Sequence, residues 1–162
     1  MITKILVSIL ILIAAGYAGL YLYEQEQPIC QVCQRPMYPA SVAVIELNNG
    51  ESVKVCCPRC GLYFQMGRND VQRIQVADYN SGNLIDAEQA FYVEGSSVHP
   101  CCKMGPTQKD QAGTQFQISW DRCMPSLIGF ESEADARSFS EKHGGTIKRY
   151  AELQEELRRI KR

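Results

Sequence analysis

Hydrophobic and polar positions change rhythm several times along this chain. From Ile5 to Tyr23, nineteen consecutive residues carry no charge. As a helix such a run rises roughly 28 Å, close to the thickness of a bilayer core. It is apolar all round, which predicts an N-terminal membrane-spanning helix rather than a core helix. Lys4 precedes it and Glu24 and Glu26 follow it. That asymmetry places the N-terminus in the cytoplasm and the remainder in the periplasm or another extracytoplasmic space. Length, and an ending in Tyr21 and Tyr23, favour an uncleaved signal anchor over a cleaved leader.

Short β-rich runs then take over. Ser41 to Leu47 is apolar and β-branched, Asn48-Asn49-Gly50 is a hairpin signal, and Ser52 to Val55 returns. Pro58 suits the first turn of a helix, and a short one is predicted from Cys60 to Gly67. Arg73 to Tyr79 alternates and reads as a strand, and Ser81-Gly82 as a turn. Ala87 to Ala90 reads as a short helical piece and Phe91 to Ser96 as a further strand. Pro100, Gly105 and Pro106 impose a loop. Residues 107–114 read as a flexible loop and Phe116 to Trp120 as a strand. Ser132 is placed as the N-cap of a helix running to His143, with Gly144-Gly145 as its stop. Thr146 to Arg149 makes a last strand. The spacing of Leu153, Leu157 and Ile160 predicts a closing amphipathic helix with a solvated charged face. The fold class expected is α+β.

Composition sharpens this in one respect. Seventeen basic against eighteen acidic side chains leave no nucleic-acid footprint. Eight cysteines in 162 residues, however, call for staples. Outside the cytoplasm the default is disulfides. The adjacent pairs Cys56-Cys57 and Cys101-Cys102 weigh against it, because a bond within such a pair closes a strained ring. Met37, Met66, Met104 and Met124 fall near the cysteines in sequence. Thiolate with thioether is the donor set that selects Cu(I).

The cysteines fall into hooks. Cys30-x2-Cys33, a gap of 23 residues, then Cys57-x2-Cys60 is close to a zinc-ribbon pattern. Each hook can turn two thiolates towards one ion, with the second at a helix N-terminus, where the dipole favours thiolate. His99, Cys101, Cys102 and Met104 form a second dense group of soft ligands. Cys123-Met124 is a third, open to a disulfide with Cys101 or Cys102 or to a metal site with Met104.

Hook, hairpin, cysteine knuckle and short helix together resemble the treble-clef modules of the TRASH and YHS type, which bind heavy metals. The TRASH pattern of one cysteine, about twenty residues, then Cys-x3-Cys is met by Cys33, Cys56 and Cys60. Cys30, Cys33, Cys57 and Cys60 offer the alternative set, and the sequence leaves the choice between Cys56 and Cys57 open. Asp78-Tyr79, Leu84 to Ala90, Phe91 to Ser96, Phe130 to Ala136, Phe139 and His143-Gly144-Gly145 resemble the NosL family, the copper-binding accessory proteins of nitrous oxide reductase. That resemblance implies Met104 as a Cu(I) ligand. Relative to that family, the Cys56–Cys60 cluster is an addition.

The resulting expectation is an anchor over 1–27, a treble-clef-like metal module over 28–68, a NosL-like portion over 69–149, and a C-terminal helix and tail over 150–162. The function expected is that of a membrane-anchored Cu(I) chaperone handing metal to an extracytoplasmic protein, without catalysis. Zinc at the Cys30–Cys60 module is the structural alternative. A thiol–disulfide redox protein would use Cys30 and Cys33, a disulfide-stapled scaffold is a further alternative, and a mercury binder uses the same residues as the copper site.

Overall fold

At Gly50 the chain turns with φ +85°, a backbone region that glycine enters without steric penalty. The turn joins β1 (Ala43–Leu47) to β2 (Ser52–Val55) in antiparallel register, with Ile45 opposite Val53. The computed structural model describes residues 9–17, 19–20, 28–101, 108–109, 115–116 and 123–160. β1 also pairs with β3 (Val71–Ala77), and β3 with β4 (Leu84–Asp86), giving a sheet of order β2-β1-β3-β4. A second antiparallel sheet places β5 (Phe91–Glu94) between β8 (Leu127–Phe130) and β9 (Thr146–Arg149). β6 (Gln108–Lys109) and β7 (Gln115–Phe116) form a small ribbon.

Among the described residues, four α-helices complete an α+β fold. Residues 9–17 and 19–20 are helical and make α1. α2 (Pro58–Gln65) starts with proline at its first position, where a missing N–H costs nothing. α3 (Glu133–His143) is capped by Ser132, whose hydroxyl accepts from Asp135 N at 3.1 Å. Gly144, at φ +72°, ends it. α4 (Tyr150–Ile160) buries Leu153 and Leu157 and leaves its charged positions exposed.

The expectation of a membrane-spanning N-terminal helix is corrected. Among the described residues no helix is long and apolar enough to cross a membrane. The anchor goes with that expectation, as does the placement of a cytoplasmic N-terminus and a periplasmic domain, since both rested on that helix. Two smaller readings also change. The stretch from Leu84 to Ala90 holds an edge strand followed by a turn, not a helical piece. Gln108–Lys109 is a strand within the segment read as a loop. Of the strand expected from Phe116 to Trp120, residues 117–120 lie outside the described residues.

Two apolar clusters meet across the second sheet. Val93, Ile128 and Phe130 pack against Ala136 and Phe139 of α3. Phe130 and Phe139 stack with ring centroids 5.1 Å apart. The alternate residues Tyr92 and Leu127 join Ile45, Val55, Leu62 and Val76 of the first sheet and α2, together with Leu153 and Leu157 of α4. The sheets are tied where β3 ends. Tyr79 N donates to Gly129 O at 2.9 Å. The buried carboxylate of Asp78 accepts from Glu131 N at 2.9 Å, Ser81 N at 2.8 Å and Ser81 Oγ at 2.7 Å. Burial opposes ionisation there, yet these donors hold the Asp78 carboxyl below its ordinary range.

Candidate metal centre

The core shared by the two sheets contains most of the cysteines. Cys30 and Cys33 come from a knuckle closed by backbone bonds: Cys30 N donates to Arg35 O at 2.8 Å and Gln34 N to Cys30 O at 2.9 Å. The knuckle requires a left-handed residue after Cys33, and Gln34 supplies it at φ +60°. Cys56 and Cys57 sit at the corner between β2 and α2, with Cys57 as the helix N-cap residue and Cys60 in the first turn. Ser41 Oγ donates to Cys56 O at 2.8 Å and fixes that corner from the opposite side.

Cys123 arrives from the other sheet. It precedes a cis Met124–Pro125 bond and the start of β8. Arg59, buried beside Cys60, donates through Nε to Pro125 O at 3.1 Å and pairs through Nη2 with Glu94. Ser126 Oγ donates to Ser96 O at 3.0 Å. The segment that follows Cys123 is thus tied to α2 through Pro125 and to the end of β5 through Ser126.

The sulfurs converge. Cys56 Sγ lies 3.3 Å from Cys33 Sγ, 3.5 Å from Cys60, 3.8 Å from Cys57 and 3.7 Å from Cys123. Cys60 Sγ lies 3.7 Å from Cys123 Sγ. Two groups of four have all their sulfurs within 4.8 Å of one another: Cys30, Cys33, Cys56 and Cys60, and Cys56, Cys57, Cys60 and Cys123. Cys101, also buried, is hydrogen-bonded to Cys56 and Cys57. No disulfide is formed among the described cysteines. All of them are buried except Cys33, which is half-buried.

The thiols share protons unevenly. Hydrogen bonds from Cys56 and Cys60 push Cys30 far down, towards thiolate. The bond from Cys101 brings Cys57 down to about 5. Cys56 is pushed up, by its bonds to Cys101 and Cys123 first, and Cys60 by those to Cys123 and Cys30. Burial lifts Cys33 to about 11. Four sulfurs at about 2.3 Å from one tetrahedral ion stand about 3.8 Å apart. The separations from Cys56 Sγ, 3.3–3.8 Å, sit near that edge length, and every pair within each four-sulfur group lies within 4.8 Å, so the cluster is sized for a thiophilic ion.

Of the residues expected at the site, Cys30, Cys33, Cys56, Cys57, Cys60 and Cys101 are brought together. His99 is half-buried and belongs to neither four-sulfur group. Cys102 and Met104 lie outside the described residues. Sequence reasoning did not place Cys123 with the Cys30–Cys60 set. One signal was available: five cysteines between 30 and 60 exceed what a single four-ligand site uses.

No protein-family model and no curated protein sequence match this chain. Among solved structures it is similar in fold to the crystal structure of the copper chaperone NosL from Shewanella denitrificans, with 19% sequence identity and a TM-score of 0.53. The likeness covers 77% of this chain and 88% of that one.

Proposed function

We propose that this chain binds Cu(I) through its clustered cysteines and passes the ion to a partner protein by ligand exchange, without catalysing a reaction itself. The observation that carries this reading is the convergence of thiols from both sheets into four-sulfur groups sized for a soft ion. Thiolate donors select Cu(I) and zinc over hard cations. The fold it shares with a copper chaperone supports the same reading. Cys102 and Met104 follow Cys101 in the sequence and offer a further thiol and thioether, a donor type that suits Cu(I). Cys33, half-buried, is the assigned point of entry.

The burial of the remaining sulfurs favours one second reading, a closed zinc site that holds the fold. The test is a competition under anaerobic, reducing conditions between the full chain and a chromophoric Cu(I) chelator. A chaperone takes Cu(I) from the chelator and returns it to excess chelator within minutes. A Cys56→Ser, Cys60→Ser double variant loses that uptake. Retained zinc with no transfer of Cu(I) in either direction would refute the chaperone reading and leave the structural one.

A further inference from the structure

The two four-sulfur groups are not independent, because Cys56 and Cys60 belong to both. A tetrahedral ion takes four ligands, so two separate sites would need eight sulfurs. Two ions that share an edge need six. The two groups supply six of the seven described cysteine sulfurs: Cys30 and Cys33, Cys57 and Cys123, and the shared pair; Cys101 belongs to neither group. The shared pair stands 3.5 Å apart, near the edge length of a thiolate tetrahedron. Cys56 also lies within 3.8 Å of Cys33 on one side and of Cys57 and Cys123 on the other. Among the described residues, Cys30 and Cys33 form no four-sulfur group with Cys57 or Cys123.

We propose that this chain holds a binuclear centre in which Cys56 and Cys60 Sγ bridge two soft metal ions, with Cys30 and Cys33 completing the first and Cys57 and Cys123 the second. The proposal rests on the metal-binding reading above and goes beyond it by fixing the number of ions and the role of each sulfur. Charge allows the second ion. One divalent ion on four thiolates leaves an excess of two negative charges, with the other two cysteines neutral thiols; two divalent ions on six thiolates leave the same two, so the second ion adds no net charge to the buried core. Each thiol that ligates gives its proton to solvent.

The probe is cadmium alone, added to the full-length, reduced, metal-free chain. Native mass spectrometry is expected to give two cadmium ions per chain. Cadmium-113 NMR is expected to give two resonances, each split by coupling to the other through the bridging sulfurs. Cys123→Ser should lose one ion and the splitting but keep one resonance. If that variant does not fold, the splitting in the unaltered chain decides alone. Saturation at one ion, or two unsplit resonances, would overturn the bridged centre while leaving metal binding intact. Failure to take up either cadmium or Cu(I) would bring down both readings.

Discussion

Replacing Arg59 by methionine tests how the second half of the cluster is held. Methionine keeps the apolar stem and removes the guanidinium. Arg59 carries a cation into the first turn of α2, where the helix dipole disfavours it. It is tolerated there because Glu94 and the Pro125 carbonyl receive it. Losing the charged bond to Pro125 O costs about 1.5–3 kcal/mol. Glu94 loses one cation but keeps Lys148, so the roughly 3–5 kcal/mol for orphaning a buried charge is an upper bound. We expect a total loss of about 3 kcal/mol, a fall in the urea midpoint on the order of 1–2 M for a domain of this size. The assay is urea unfolding of the reduced, metal-free chain, with cadmium uptake measured in parallel. The loss should fall on the ion held by Cys123, because Arg59 fixes the segment after it, and not on the ion held by Cys30 and Cys33. A midpoint shift below about 0.2 M, or equal loss of both ions, would refute the assignment of Arg59 as the clamp between α2 and the Cys123 segment.

Metal affinity should fall in acid. Cys33, Cys56 and Cys60 have their thiols pushed up and are protonated near neutrality, so loading displaces protons and lower pH opposes it. Chelator competition between pH 8 and 6 should show at least a tenfold weakening per pH unit, about 1.4 kcal/mol for each displaced proton, and a flat profile would contradict it. Asp78→Asn should reduce stability at neutral pH and flatten the acid limb of a stability curve. The folded carboxyl lies below its unfolded range, so its contribution is present above that range and lost as pH falls through the folded value; thermal unfolding at pH 3 and pH 7 checks this. Gly129→Ala should destabilise by about 1–3 kcal/mol, since its Cβ would meet Val76 Cγ2 at 3.1 Å and Ala77 O at 3.3 Å; urea unfolding reads the loss directly.

Local signals were legible and tertiary ones were not. The hairpin at Gly50, the proline start of α2 and the Ser132 cap are written in adjacent residues, and their elements form where expected. β8 was harder to read because all four of its residues are buried, which removes the alternation that marks a half-buried strand. β4 is a three-residue edge strand containing an aspartate, too short for any period to show. At the site, the Cys30–Cys60 hooks were visible through spacing. Cys123 was not, because it reaches Cys56 only through the packing of one sheet on the other. The apolar run at the N-terminus is helical over residues 9–17 and 19–20, yet among the described residues no helix is long and apolar enough to cross a membrane.

Chain order also imposes a schedule. The sulfurs at 30, 33, 56 and 60 leave the ribosome early and come from the knuckle, the corner after the first hairpin and the helix that follows it. The sulfur at 123 emerges only after the first sheet and β5 have been made. Until then the group of Cys56, Cys57 and Cys60 lacks Cys123 as its fourth sulfur. On the proposed bridged centre, assembly has an early stage able to hold one ion and a late one able to hold two, and a reducing environment matters most in the interval between them.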